Sequence, residues 1–185
     1  MIRLFVAIPL PPDLRQRLAL MGGGIPGARW VAPENLHLTL RFIGEVDEGQ
    51  MQDIDTALLG VAAPRFDLTL AGIGHWETKG KATALWAGVE KSPELLHLHD
   101  RVEAALVRAG LPPEPRKFAP HVTLARLKKP PADRVGDFLR AHSLFRAPPV
   151  VVEEFALYSS TLSAAGPLYR EEAFYPLSPN ALTGE

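Results

Sequence analysis

The chain has 185 residues, 46% hydrophobic and 22% charged, with Lys+Arg 20 against Asp+Glu 21 for a net charge of −1. That is enough apolar chain to bury a core in one domain or two small lobes, and it excludes wholesale disorder. The balanced charge excludes a surface built to coat long nucleic acid, and the absence of cysteine excludes disulfides, a thiol nucleophile and Cys-based metal sites. In chain order, Ile2–Ile8 is a short apolar run closed by Pro9 and predicts a buried strand. Pro11–Met21 has Leu14, Leu18 and Met21 at helical spacing and is stopped by Gly22–Gly24. Leu36–Ile43 alternates strictly and predicts a strand with one polar face. Asp47 is placed to cap a helix with Met51, Ile54, Leu58 and Val61 on one side. Phe66–Ile73 and Ala82–Val89 predict two strands, with Lys79-Gly80-Lys81 in a hairpin or exposed connection between them.

Ser92-Pro93-Glu94 is a helix start, and the stripe Leu95, Leu98, Val102, Leu106, Ala109 carries the helix to Gly110. A Pro-rich bend, Leu111–Pro115, leads to a strand at His121–Leu127. Asp133–Ala141 predicts a short helix, and Pro149–Tyr158 and Leu168–Phe174 the last strands. The two halves repeat one order: a helix, a strand opening on His-x-Thr-Leu, a helix and two strands. Without a Gly/Ser linker the halves are expected to share one body over 1–178, with a frayed end at 179–185. No run of about 20 apolar residues spans a membrane, and no signal sequence is recognised, so a cytoplasmic protein is expected.

The chemical signal is the pair His37-Leu38-Thr39-Leu40 and His121-Val122-Thr123-Leu124, 84 residues apart. Strand alternation turns each histidine to the same face as the threonine two residues on, about 7 Å away. Two such strands facing each other would gather two imidazoles and two hydroxyls around one centre. Histidine changes charge near neutral pH, so one can act as base while the other acts as acid. Hydroxyls donate to an oxyanion, so the set suits in-line attack on a phosphodiester without a metal or cofactor. One such motif carries little weight, because threonine is a common strand residue and histidine often a structural one. The pair in matching contexts carries much more.

These motifs resemble those of the two-histidine (2H) phosphoesterases. The surroundings are similar to the bacterial and archaeal RNA 2′,3′-cyclic phosphodiesterases, historically called 2′-5′ RNA ligases. The similarity runs through Arg3–Ile8, Arg29-Trp30-Val31, Pro33–Leu40, Phe42–Glu45, Phe118–Arg126 and Tyr158-Ser159-Ser160, and so covers nearly the whole chain. The resemblance implies an α+β fold. It also implies a bilobal pseudo-twofold duplication, with two mainly antiparallel sheets facing a central cleft and helices outside. It implies hydrolysis of a terminal 2′,3′-cyclic phosphate on RNA, tRNA-derived ends included, to a 2′-monophosphate by a monomeric enzyme. Ligation to a 5′-hydroxyl would be a secondary activity. The family's roles carried over make His37 the proton donor and His121 the acceptor, with Thr39 and Thr123 on phosphate oxygens. The near-identical motifs do not by themselves distinguish the two roles.

Arg126 would contact phosphate in that family, yet strict alternation from His121 puts it on the opposite face. The family placement requires the strand to end or bulge before it. Phe42 stands at the matching position of the first motif. It is a candidate for stacking on a base, with a core position the leading reading of the residue itself. Alternation puts Arg41 on the face of His37, bordering the cleft. Arg116, Lys117, Lys128 and Lys129 form either a rim that attracts RNA ends or a solvated basic edge. His75-Trp76 follows a strand and lines the groove or fills a loop. His97 and His99 do not face each other on a helix and predict no metal site, and His142 reads as a surface residue. Small cyclic nucleotides, ADP-ribose cyclic phosphate and 2′-5′ oligoadenylates are alternative substrates, and a non-catalytic RNA-end binder is the alternative of a different class.

Overall fold

The computed structural model describes residues 1–179. The expected frayed end therefore lies outside the described residues, apart from Pro179. In chain order the elements are β1 (Ile2–Pro9), α1 (Pro12–Leu20), β2 (Ala28–Trp30), a 3₁₀ turn (Pro33–Asn35), β3 (His37–Val46) and α2 (Glu48–Leu59). There follow β4 (Phe66–Leu68), β5 (Leu70–Thr78), β6 (Lys81–Val89), α3 (Pro93–Arg108), β7 (His121–Leu127) and α4 (Ala132–Ala141). The chain ends with β8 (Val150–Val152), β9 (Glu154–Ser163) and β10 (Gly166–Pro176).

The helix ends follow local chemistry. The Asp47 carboxylate accepts from the Gln50 backbone N–H while the Gln50 side chain accepts from the Asp47 N–H. The Ser92 hydroxyl accepts from the Leu95 N–H, with Pro93 at the first helical position. Five residues of α3, Leu95, Leu98, Val102, Ala105 and Leu106, are buried along one stripe. Each large one contributes about 1.5–3 kcal/mol by leaving water. Lys79 and Gly80 both take positive φ, 54° and 77°, and close the β5–β6 hairpin.

Two four-stranded sheets result, ordered β10-β9-β1-β3 and β2-β7-β6-β5, with antiparallel pairing throughout. Helices α2 and α3 pack on each other and against the first sheet, and α4 packs against β6 of the second. Counted outward from each motif strand, β3-β1-β9 in one sheet matches β7-β6-β5 in the other. The halves of the chain nevertheless do not each build a sheet. The first sheet takes β9 and β10 from the C-terminal half, and the second takes β2, β5 and β6 from the N-terminal half. Among the described residues no helix is long and apolar enough to cross a membrane.

Three local readings are corrected. Phe66–Ile73 is two strands, because the chain changes partners at Thr69: β4 pairs with β8, and β5 with β6. His75 and Trp76 lie inside β5 rather than after it. Arg41 does not border the cleft. In the β1–β3 ladder Ala7 faces Thr39 while the adjacent Val6 faces Arg41, so Leu40 is an extra residue. This bulge turns Leu40 and Arg41 both inward and Phe42 outward.

The buried Arg41, 7% exposed, needs a partner. Its Nε donates to Glu103 of α3 at 2.9 Å, and its other nitrogens donate to the Phe42 and Pro112 carbonyls. Glu103 also accepts the Glu114 N–H at 2.9 Å, which ties the Pro-rich bend to α3. Replacing Glu103→Ala would leave the Arg41 guanidinium buried without its counter-charge. The expected outcome in equilibrium urea unfolding is a loss of about 3 kcal/mol; a change within 0.5 kcal/mol, the ordinary range for surface sites, would show that the pair is dispensable.

Candidate active site

The two sheets face each other across a cleft of about 630 Å³. His37 and Thr39 line it from β3, and His121 and Thr123 from β7. The two motif strands carry the same irregularity. In the β6–β7 ladder Trp86 faces Thr123 while the adjacent Leu85 faces Ala125, so Leu124 is the extra residue, matching Leu40. Leu124 and Ala125 both turn inward and Arg126 emerges on the cleft side. The bulge that the family placement of Arg126 requires is therefore present. The matching bulge in β3 brings Phe42 to the cleft, 56% exposed, which overturns the reading of Phe42 as a core aromatic.

Each imidazole is held by a backbone carbonyl two residues upstream. His37 Nδ1 lies 2.6 Å from the Asn35 oxygen, and His121 Nδ1 lies 2.7 Å from the Ala119 oxygen. A carbonyl only accepts, so Nδ1 carries the proton in both rings and Nε2 is left for chemistry. The 3₁₀ turn Pro33–Asn35 and the segment ending in Pro120 deliver those carbonyls. His37 Nε2 is 2.9 Å from the Thr39 hydroxyl, which donates to it when the ring is neutral.

Aromatic rings support both histidines. Phe5 stacks on His37 at 4.9 Å, Tyr169 meets it edge-on at 5.4 Å, and Tyr158 stacks behind Phe5 at 5.2 Å. Phe5, Ala7, Ala156 and Tyr158 form a small apolar cluster of their own, separate from the main core, with Tyr169 against it. His121 meets Trp76 edge-on at 5.4 Å, with Trp86 at 6.4 Å. Trp86 fits only because its neighbour is glycine: a Cβ on Gly74 would clash with the indole.

Burial pulls the His37 pKa below 6.5; the Asn35 carbonyl opposes this, and the charge of His121 adds to it. Burial also raises the phenols, Tyr158 to about 12, so both stay neutral; at Tyr169 the charges of Arg126 and Arg3 act against the rise. Arg3, Arg29 and Arg126 line the cleft, and no carboxylate does among the described residues. The arrangement is two tautomer-locked imidazoles and two hydroxyls in a cationic pocket, suited to an anionic ester.

This geometry agrees with the family comparison. The model for LigT-like phosphoesterases matches residues 8–86 and 88–169. The chain belongs to this family. An RNA 2′,3′-cyclic phosphodiesterase of Thermotoga maritima is 35% identical over 178 residues, covering 91% of this chain and 92% of that protein. The protein of the same name from Escherichia coli is 34% identical over 128 residues, covering 67% and 71%. The crystal structure of E. coli LigT complexed with 3′-AMP superposes with a TM-score of 0.77 at 28% identity, covering 96% of this chain and 98% of that one.

Two cleft residues of this LigT-like phosphoesterase, Arg29 and Asn35, were not singled out from sequence as site residues, whereas Trp76 takes the groove-lining place offered for it. Arg29 sits on a three-residue strand too short to show a period. Trp76, 42% exposed, faces the cleft from β5. Asn35 holds His37 through its carbonyl and donates its side-chain N–H to the Pro167 carbonyl at 3.0 Å, joining the β9–β10 hairpin to the first motif. The other histidines serve elsewhere. His75 pairs with Glu77, His99 stacks on Phe118 at 3.9 Å, and His142 packs against Phe138 beyond the end of α4. Arg116, Lys117, Lys128 and Lys129 are exposed but do not line the cleft.

The expected titration of His37 follows with its sign. Burial disfavours the imidazolium, so its midpoint in the free protein lies below 6.5, and a phosphate anion beside Nε2 favours the charged form. NMR titration of the ring protons should show a midpoint below 6.5 that moves up when a nucleoside 2′-monophosphate is added. A midpoint at or above 6.5 without ligand would contradict the burial argument.

Proposed function

We propose that the chain is an RNA 2′,3′-cyclic phosphodiesterase that opens a terminal cyclic phosphate to a 2′-monophosphate by acid–base catalysis between His37 and His121. The observation that carries the reading is the pair of imidazoles in one cleft, each with Nδ1 tied to a carbonyl and Nε2 left as the reacting atom. The names of the relatives in T. maritima and E. coli supply the substrate class.

In this mechanism water attacks phosphorus in line with the 3′ oxygen. His121 Nε2 takes the water proton, the P–O3′ bond breaks, and His37 Nε2 gives its proton to the departing oxygen. The 2′ ester bond is untouched, so a 2′-monophosphate results. Thr39 turns its hydroxyl from His37 Nε2 to a phosphate oxygen, which frees that nitrogen to carry a proton. Thr123 binds the phosphate from the opposite sheet, and Arg126 offsets its charge. A charge-assisted hydrogen bond of this kind contributes about 1.5–3 kcal/mol. Phe42 offers an exposed ring to the terminal base. The anion also resolves a tension in the free protein, where burial keeps His37 neutral: bound phosphate raises the pKa of the group that must be protonated. A 5′-hydroxyl in place of water would give a 2′-5′ bond, so the same site would support a secondary ligase activity. Residues 1–178 act as one catalytic unit in this reading.

The test is hydrolysis of a short RNA ending in a 2′,3′-cyclic phosphate, in EDTA, with 2′- and 3′-monophosphates resolved. His37→Ala and His121→Ala should each lower kcat by about 10²–10⁴. Thr39→Ala and Thr123→Ala should each cost roughly 10-fold or more. A 3′-monophosphate product would reverse the proposed leaving group, and no turnover by folded wild-type protein would overturn the reading.

A further inference from the structure

One row of residues crosses the cleft side of the second sheet. Arg29 of β2 is paired with Arg126 of β7, Arg126 with Ala84 of β6, and Ala84 with Trp76 of β5. Residues directly opposite in an antiparallel ladder share a face, with Cβ atoms about 4.5–5.5 Å apart, and like charges so placed repel. Neither guanidinium has a carboxylate partner among the described residues. Arg29 is committed to this side, because its neighbour Trp30 packs behind the sheet against Phe138 at 5.5 Å. A terminal cyclic phosphate carries one negative charge, and Arg126 with the two threonines already answers it. Arg29 therefore supplies one cation more than the reacting group needs, beside the first and against a repulsion that an anion would relieve.

We infer that Arg29, beside Arg126, forms a subsite for a second phosphate of the substrate, the phosphodiester joining the terminal nucleotide to its 5′ neighbour. This rests on the phosphodiesterase reading and sharpens it. The preferred substrate is an oligonucleotide with at least one internal phosphodiester, ahead of nucleoside 2′,3′-cyclic monophosphates.

The experiment compares kcat/KM for two substrates, a dinucleotide ending in a 2′,3′-cyclic phosphate and the corresponding nucleoside 2′,3′-cyclic monophosphate. The readout is their ratio, which cancels a general loss of active protein. Wild type should favour the dinucleotide, and Arg29→Gln should lower the ratio about 10-fold, as expected for one charge-assisted contact. Arg29→Lys should restore part of it. A dinucleotide with a neutral methylphosphonate linkage should reproduce the loss in wild type and be insensitive to Arg29→Gln, closing the double-mutant cycle. An unchanged ratio in Arg29→Gln, or equal sensitivity of the neutral analogue, overturns the subsite. If wild type turns over neither substrate, the phosphodiesterase reading fails by itself. The subsite is then read by fluorescence anisotropy of a 5′-labelled dinucleotide 2′-monophosphate and its neutral-linkage counterpart. Weaker binding of the charged probe alone to Arg29→Gln supports the subsite, and equal binding by both proteins overturns it.

Discussion

One extra residue in each motif strand decides what the cleft contains. A regular strand would carry His37, Thr39 and Arg41 on one side and hide Phe42; it would do the same to Ala125 and Arg126 after Thr123. The bulges at Leu40 and Leu124 reverse that order after the threonines. They cost a ladder hydrogen bond and local twist. In return the cleft receives a ring from one sheet and a guanidinium from the other, each five residues beyond its histidine. The cost differs between the copies. In β7 the displaced residue is Ala125, which packs with no polar demand. In β3 it is Arg41, and a buried guanidinium obliges α3 to supply Glu103 and the Pro-rich bend to supply the Pro112 carbonyl. That bend leads to Phe118, Ala119 and His121, so the ion pair in the first copy also anchors the approach to the second histidine.

The two histidines start from nearly the same sequence and end in different environments. Both lose one nitrogen to a backbone carbonyl, which fixes ring orientation and tautomer together. His37 then packs against both Phe5 and Tyr169, with Thr39 on its free nitrogen, where desolvation works against charge. His121 meets tryptophan rings, and its Nε2 has no protein partner among the described residues. A twofold arrangement could not by itself give its halves different surroundings. The asymmetry comes from different residues on the matching strands, Phe5 on β1 against Trp86 on β6, and from the strands that are not repeated: β10 brings Tyr169 to one side, and β2 brings Arg29 to the other.

Much of this was legible in the sequence because it rests on local rules. The caps at Asp47 and Ser92, the α3 stripe and the face shared by each His-Thr pair depend on residues within a few positions of one another. The paired motifs carried the resemblance, and with it the α+β two-sheet architecture. The failures lie where a non-local pairing overrides period two. Arg41 and Phe42 were exchanged between faces because a bulge is a property of a ladder, visible only when β1 is laid beside β3. Arg29 escaped notice because β2 exists only as a partner for β7. Asn35 looked like part of a motif, whereas its work is done by a carbonyl, which no side-chain pattern reports, and by a bond to Pro167 across the fold.

The overall charge and the cleft charge point in opposite directions, and the contrast bears on how such a protein meets RNA. A net charge of −1 provides no long-range pull toward a polyanion. Three arginines in a cleft that no carboxylate lines among the described residues create a positive potential only over a short distance, within about a Debye length of 8–10 Å at physiological salt. The exposed lysines at 117, 128 and 129 stand outside that pocket and do not extend it into a track. Affinity therefore has to come from the few phosphates that enter the cleft, and its salt dependence has to be shallow, since the slope counts the phosphates neutralised. Positive charge gathered at the cleft alone suits a small anionic group that enters it, rather than a long polyanion laid over the surface.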